Sequence, residues 1–337
     1  MISSQTSNVP IRNFHAATAL PRTRNGAAPG VALAAATLRG GPLPFIPQGK
    51  RKAVHTMRQR LGQHFLGDAG WREKIARALR VSPHGMRPAE SAPKEYCWIE
   101  IGAGHGEMTE HLLKSGVPVI AVELDAPLVE RLRKMAACQP NLTVVSGDVL
   151  QTDLAALANG RRMRIYGNLP YYITSPILHH FFTFADRIEE AHIVIQLEVA
   201  QRLTARPGNK LYGYLSVATQ FYCRPDFTLR LPRGAFRPPP EVGSALVSLR
   251  FPGERAKLGI ADDHAFLDFV KTCFAQKRKT LSNNLRALIQ PAELRTLLKD
   301  LKLREDARAE QLSAAQFADL FKAISSAPRA AGLDNRS

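Results

Sequence analysis

Cysteine is scarce in this chain: four among 337 residues, Cys97, Cys138, Cys223 and Cys273, with no C-x-x-C pair. That spacing suggests neither a disulfide framework nor a cysteine zinc site, and it fits a reducing compartment. Long apolar runs are missing too. The longest mild stretch, Val31 to Leu38, is alanine-rich and well short of the roughly 18 residues that would suggest a membrane span. Acid is in short supply, with 29 Asp and Glu against 46 Lys and Arg and a formal net charge of +17. Such a surplus points to a polyanionic partner, nucleic acid before an anionic membrane surface. Residues 1–56 hold no acid at all, and Arg12, Arg22, Arg24, Arg39, Lys50, Arg51 and Lys52 lie there among Pro and Gly without hydrophobic period. This segment reads as a disordered basic arm; an over-long start or an organelle transit peptide has the same composition. A bacterial cytoplasmic protein is therefore expected, or a mitochondrial one if the arm is a transit peptide.

What is present is ordinary globular composition, 45% hydrophobic, enough for a sizeable core. Trp71, Ile75, Ala78 and Leu79 recur at helical spacing, followed by a Pro/Gly-rich connection. Short apolar runs then alternate with helical patterns. Strands are predicted at 97–101, 117–122, 142–145, 165–166 and 193–197, with helices at 108–113 and 128–135. This alternation predicts an α/β fold, a parallel sheet covered by helices on both faces. Segments 228–231 and 245–251 read as later, antiparallel strands. A Pro/Gly/charge stretch over 252–263 gives way to helical spacing at Phe266, Phe269, Val270, Phe274, then Leu281, Leu285, Leu288, then Leu294, Leu297, Leu298, Leu301. The predicted organisation is an α/β domain over 57–252, a small all-helical domain over 253–325 and a flexible tail over 326–337.

Ile99-Glu100-Ile101-Gly102-Ala103-Gly104-His105-Gly106 follows a predicted strand and opens a predicted helix, where glycines let backbone approach a ligand closely. The spacing is G-x-G-x-G. The dinucleotide fingerprint G-x-G-x-x-G would need its third glycine at Glu107, so a smaller adenosyl ligand fits better than the NAD of a dehydrogenase. Glu123, ending the next strand, is placed to accept from both hydroxyls of a ribose. Asp148, after the third strand, is placed to accept from an adenine amino group.

Tyr166-Gly167-Asn168-Leu169-Pro170-Tyr171-Tyr172 follows the fourth strand. Alone, it reads equally as a proline turn with Tyr171 packed on the core. At this position it has a chemical reading as well. An adenine amino group is a poor nucleophile, because its lone pair is delocalised into the ring, and it needs acceptors for both hydrogens as nitrogen becomes tetrahedral. The Asn168 side-chain oxygen and the Leu169 carbonyl supply two, Pro170 stiffens the turn, and Tyr171 offers a stacking face.

With these motifs the chain resembles the small-subunit ribosomal RNA adenine dimethyltransferases, the KsgA family of class I S-adenosylmethionine-dependent methyltransferases, from about Arg60 to about Lys322. Leu61-Gly62-Gln63-His64-Phe65-Leu66 is similar to the family's G-Q-[NH]-F-L segment. Further similar segments are 196–203, 207–217, Phe236-Arg237-Pro238-Pro239-Pro240-Glu241-Val242 and Phe274-Ala275-Gln276-Lys277-Arg278-Lys279-Thr280-Leu281. The resemblance implies a Rossmann-like methyltransferase domain and an RNA-binding helical domain. It implies cofactor contacts from His64, Leu66, Gly102, Glu123, Asp148 and Asn168, and a catalytic motif of Asn168, Leu169, Pro170 and Tyr171. It implies Phe236 as a second wall for the target base, and phosphate contacts from Lys277, Arg278 and Lys279. The implied reaction is N6-dimethylation of two adjacent adenosines in the 3'-terminal hairpin of 16S rRNA on an immature small ribosomal subunit, by a monomer using S-adenosylmethionine and no metal. Two other readings share the fold: a resistance-type methyltransferase of large-subunit rRNA, and a ribosome-assembly or transcription factor. Tyr172 stands where many members have Asn, and Glu241-Val242-Gly243-Ser244 where the family usually reads K-V-D-S.

Overall fold

Tyr96–Ile101 (β1) is buried at all six positions, the pattern of a strand covered on both faces. The computed structural model describes residues 64–81 and 96–326. The predicted arm, the Gly62-Gln63 part of the first motif, the connection over 82–95 and the tail from 327 lie outside the described residues.

Helix α1 (Ala69–Ala78) precedes β1; the Asp68 side chain caps it by accepting the Trp71 N–H at 3.0 Å, as preferred at a helix start. After β1 come α2 (Glu107–Leu113), β2 (Val119–Glu123), α3 (Ala126–Ala136), β3 (Leu142–Ser146), α4 (Leu154–Ala158), β4 (Arg162–Asn168), α5 (Thr174–Thr183) and β5 (Ile188–Gln196). Then follow α6 (Leu197–Leu203), α7 (Tyr214–Tyr222), β6 (Arg224–Leu231) and β7 (Ser244–Arg250). One sheet of seven strands runs in the order β3-β2-β1-β4-β5-β7-β6. The first five strands are mutually parallel, and β7 is antiparallel to both its neighbours. The parallel sheet with antiparallel additions thus matches the sequence expectation. The expected segment 193–197 differs from the strand at both ends: β5 begins at Ile188 and ends at Gln196, and Leu197 already opens α6.

Alternate residues of each strand feed opposite faces. Trp98, Ala121, Tyr166, Val194 and Leu246 join one apolar cluster with α1 and α2 residues such as Ile75 and Leu112. Ile99, Val122, Ile165, Ile193 and Val247 join the other, with α4–α7.

The helical region comprises α8 (Arg255–Leu258), α9 (Asp263–Cys273), α10 (Leu281–Asn284), α11 (Pro291–Asp300) and α12 (Ala314–Ser326). Its core is continuous with that of the sheet: Phe221 of α7 stands 5.0 Å from Phe266 of α9, which stands 5.7 Å from Phe321 of α12. The stretch read as a connection is tied down, with the Gly253 N–H donating to the Tyr222 carbonyl at 2.9 Å. A Cβ at residue 253 would come within 2.5 Å of the Cys223 nitrogen, so only glycine allows that approach. Among the described residues no helix is long and apolar enough to cross a membrane.

Candidate active site

The carboxyl ends of β1, β2 and β3 finish side by side because the ladder continues past them. The Gly102 N–H donates to the Val122 carbonyl at 2.9 Å, and the Gly147 N–H to the Glu123 carbonyl at 3.0 Å. Gly102 and Gly104 have φ of +66° and +61°, values that a side chain makes costly. A Cβ on Gly102 would meet nothing within 4 Å, while one on Gly104 would press on the Phe65 ring at 3.1 Å. That ring also packs on His105, centroids 4.6 Å apart, so the N-terminal segment clamps the loop from above.

Glu123 is 4% exposed. Its Oε2 accepts the Gly104 N–H and its Oε1 the Leu124 and Asp125 N–H groups, each at 2.9 Å. Three charge-assisted bonds satisfy a buried carboxylate and still leave acceptor capacity toward the cleft that Glu123 lines. Asp148 Oδ1 accepts the Leu150 N–H at 2.9 Å; its other oxygen takes no hydrogen bond among the described residues. Behind the loop, Glu100 is 2% exposed and receives the Thr109 hydroxyl at 2.5 Å. Burial, reinforced by the nearby charges of Glu107 and Glu123, pushes its carboxyl up to about 8 against the opposing Thr109 bond. Glu100 is therefore mostly neutral at pH 7.

Asn168 ends β4. Its Nδ2 donates to the His64 carbonyl at 2.7 Å. A carbonyl only accepts, so the amide nitrogen must face it, and Oδ1 is left as an acceptor. The Leu169 N–H continues the ladder to the Val194 carbonyl at 3.0 Å, while the Leu169 carbonyl accepts no hydrogen bond among the described residues. The turn Tyr171–Ile173 follows, braced by the Thr174 hydroxyl on the Pro170 carbonyl at 3.2 Å. The Tyr171 hydroxyl shares a 2.8 Å hydrogen bond with Ser244 at the start of β7, and its ring lies 5.6 Å from that of His64. Burial raises the Tyr171 phenol above its ordinary pKa, the Ser244 bond opposing. His64 Nδ1 lies 3.0 Å from the Pro238 carbonyl and so carries the proton. Phe65 pairs with Arg237 through two backbone bonds, 3.1 and 2.8 Å. Segment 64–68 is thus strapped onto 235–238.

The ends of β1–β3 and the turn after β4 open into one cleft, about 850 Å³ counted out into the solvent at its mouth. His64, Gly102, Glu123, Asp148, Asn168, Leu169, Pro170 and Tyr171 all line it. Two expected contacts do not. Phe236 has no exposed surface and belongs to the apolar cluster under α1; here it is a core residue and not a second wall, because pairing of 64–68 with 235–238 turns its ring inward. The Leu66 side chain is 7% exposed and belongs to the same cluster. Lys277, Arg278 and Lys279 are exposed on the turn between α9 and α10, and the Lys277 ammonium donates to the Lys210 carbonyl. Sequence reasoning passed over Phe65 as a cleft residue and Ser244 as a hydrogen-bond partner, both inside motifs quoted above; Tyr172, noted above as a departure from the family, lines the cleft. Among the described residues no group of three or more His, Cys, Asp and Glu is placed to hold a metal ion.

A glycine loop, a buried carboxylate after the second strand and an Asn-Leu-Pro-Tyr turn, all along the carboxyl ends of this sheet, mark a class I methyltransferase fold. Two solved structures share it: a dimethyladenosine transferase from Plasmodium falciparum, with TM-score 0.62 and 24% identity over 76% of this chain and 96% of that one; and the 23S rRNA methyltransferase ErmE, with TM-score 0.58 and 24% identity over 78% and 100%. The sequence pattern of the family described as ribosomal RNA adenine dimethylase matches residues 54–326, and the chain belongs to that family. Among its curated relatives are the ribosomal RNA small subunit methyltransferases A of Acidobacterium capsulatum, 39% identical over 85% of this chain and 99% of the relative, and of Xanthomonas euvesicatoria, 40% identical over 76% and 92%. The protein is a ribosomal RNA methyltransferase.

Proposed function

We propose that the chain transfers methyl groups from S-adenosylmethionine to the 6-amino group of adenosine in small-subunit rRNA, dimethylating two adjacent adenosines of its 3'-terminal hairpin. One observation carries the reading: the 2.7 Å bond from Asn168 Nδ2 to the His64 carbonyl, which leaves Oδ1 as an acceptor in the cleft. The residues present fit the cofactor. The Gly102 Cα opens on free space, and Glu123 and Asp148 keep acceptor capacity for the ribose hydroxyls and the adenine amine. His64, before α1, and Asn168, at the end of β4, complete that set across the cleft. The cofactor supplies an electrophilic methyl on a positively charged sulfonium.

The chain's own residues then do positioning and electrostatics. Asn168 Oδ1 and the Leu169 carbonyl accept the two amino hydrogens, bringing the lone pair out of conjugation and toward the methyl carbon. As the amine becomes cationic, the same two oxygens stabilise it. Tyr171, held by Ser244, stacks on the base. Loss of one proton to solvent then leaves the monomethylated amine with one hydrogen, so a second transfer needs one acceptor fewer. The target must be unpaired or turned out of its helix to enter. Lys277, Arg278 and Lys279 contact phosphates, so RNA affinity falls with salt.

The test is transfer of labelled methyl to undermethylated small ribosomal subunits and, in parallel, to naked large-subunit RNA, with digestion to nucleosides. Dimethyladenosine from the small subunit alone is the expected result. Product from the large-subunit RNA, or cofactor binding with no product from either, would overturn it in favour of the resistance-type or assembly-factor reading.

A further inference from the structure

Tyr171 and Tyr172 are adjacent and differ in how they are held. Tyr171 is half-buried, bonded to Ser244 at 2.8 Å and packed on His64. Tyr172 lines the same cleft yet is 60% exposed, and among the described residues it has no hydrogen bond and no aromatic partner. The 3-10 turn over Tyr171–Ile173 explains the divergence, since successive side chains there point about 120° apart. One ring serves as inner wall; its neighbour is presented at the rim. A large aromatic left open to water on a basic protein's nucleic-acid site is what a stacking platform requires.

We infer that Tyr172 is a positioning residue that stacks on the nucleobase next to the target adenine along the RNA strand. This rests on the function proposed above. When the target base leaves its stack, its neighbour loses a partner on one face, and the Tyr172 ring replaces it. With two adjacent adenosines as substrates, the stacked neighbour is the other adenosine of the pair.

The test compares wild type, Tyr172→Ala and Tyr172→Phe in the full chain on small subunits carrying semisynthetic rRNA, with either an intact strand or an abasic site immediately 5' or 3' of the target. Tyr172→Ala is expected to raise KM for intact subunits on the order of tenfold, with kcat changed far less and S-adenosylmethionine affinity kept. Tyr172→Phe, which keeps the ring, is expected to restore wild-type KM. On one of the two abasic substrates, wild type and Tyr172→Ala should converge. An unchanged KM, or a Tyr172→Ala effect that persists in full on both abasic substrates, would overturn the inference. Wild type failing to methylate intact subunits would instead overturn the functional reading beneath it.

Discussion

The cleft has two halves that are built differently. On the side proposed for the cofactor, Gly102, Glu123 and Asp148 sit at the ends of three neighbouring parallel strands, and their polar groups are satisfied by backbone at most about twenty residues away, as where Glu123 takes Leu124, Asp125 and Gly104. On the base side, Asn168 leans on a carbonyl 104 residues away, Tyr171 on a hydroxyl 73 residues away, and His64 on a carbonyl 174 residues away. One half is a property of three consecutive parallel strands and the loops that follow them. The other exists only once segment 64–68 and the 235–244 segment have closed over β4.

That contrast orders the expected effects. Asn168→Ala removes the acceptor and should cost roughly 10²- to 10³-fold in single-turnover methyl transfer, while cofactor affinity, measured by calorimetry, falls much less. Equal losses in both would merge the two halves.

Glu100→Gln probes the support beneath the cofactor half. The Glu100 carboxyl titrates near 8 in the folded chain against an ordinary 4.5, so between those values the folded state holds a proton that the unfolded state has released. Stability therefore falls as pH rises through that window, by up to about 1.4 kcal/mol per pH unit from this group. The amide still accepts the Thr109 hydroxyl and cannot ionise. Urea unfolding at pH 5 and pH 8 should show a smaller difference for the variant than for wild type; an identical difference would remove Glu100 from this role.

Gly102→Ala forces a side chain into a left-handed backbone and into the cleft. The strain of about 1–2 kcal/mol should appear as lost stability, while the methyl group occupying space in the cleft should weaken cofactor binding roughly tenfold, with the rate at saturating cofactor much less affected. The smallest effect belongs to Ser244→Ala. Losing one hydrogen bond worth about 1 kcal/mol should slow methyl transfer several-fold and leave cofactor affinity alone. Tyr171→Phe should do the same, and the double variant should be no worse than either single one.

The same contrast explains what could be read from the sequence. The glycine loop, Glu123 and Asp148 were legible because each follows its own strand at fixed spacing, and the parallel order needs no distant partner to be inferred. Asn168 and Tyr171 were legible as residue types in a turn. Their holders were not: the His64 carbonyl that takes Asn168, the Ser244 hydroxyl that meets Tyr171 and the Pro238 carbonyl that in turn fixes His64 act through backbone or a single hydroxyl, which leave no periodic trace. Phe236 was misplaced for the same reason. Its motif marks the strap, but only the pairing of Phe65 with Arg237 decides that the ring turns into the core. In the helical region, Leu281, Leu285 and Leu288 suggested a full helix where the chain makes one turn, Leu281–Asn284, and leaves Leu288 54% exposed.

The most direct measurement takes cofactor affinity and single-turnover rate at saturating cofactor together, on Gly102→Ala and Asn168→Ala, with undermethylated small subunits as substrate. Two separately built halves predict a crossed result: Gly102→Ala loses affinity and keeps most of its rate, while Asn168→Ala keeps most of its affinity and loses its rate. Both variants losing both quantities in proportion would contradict the division of the cleft and the assignment of Asn168 to the base.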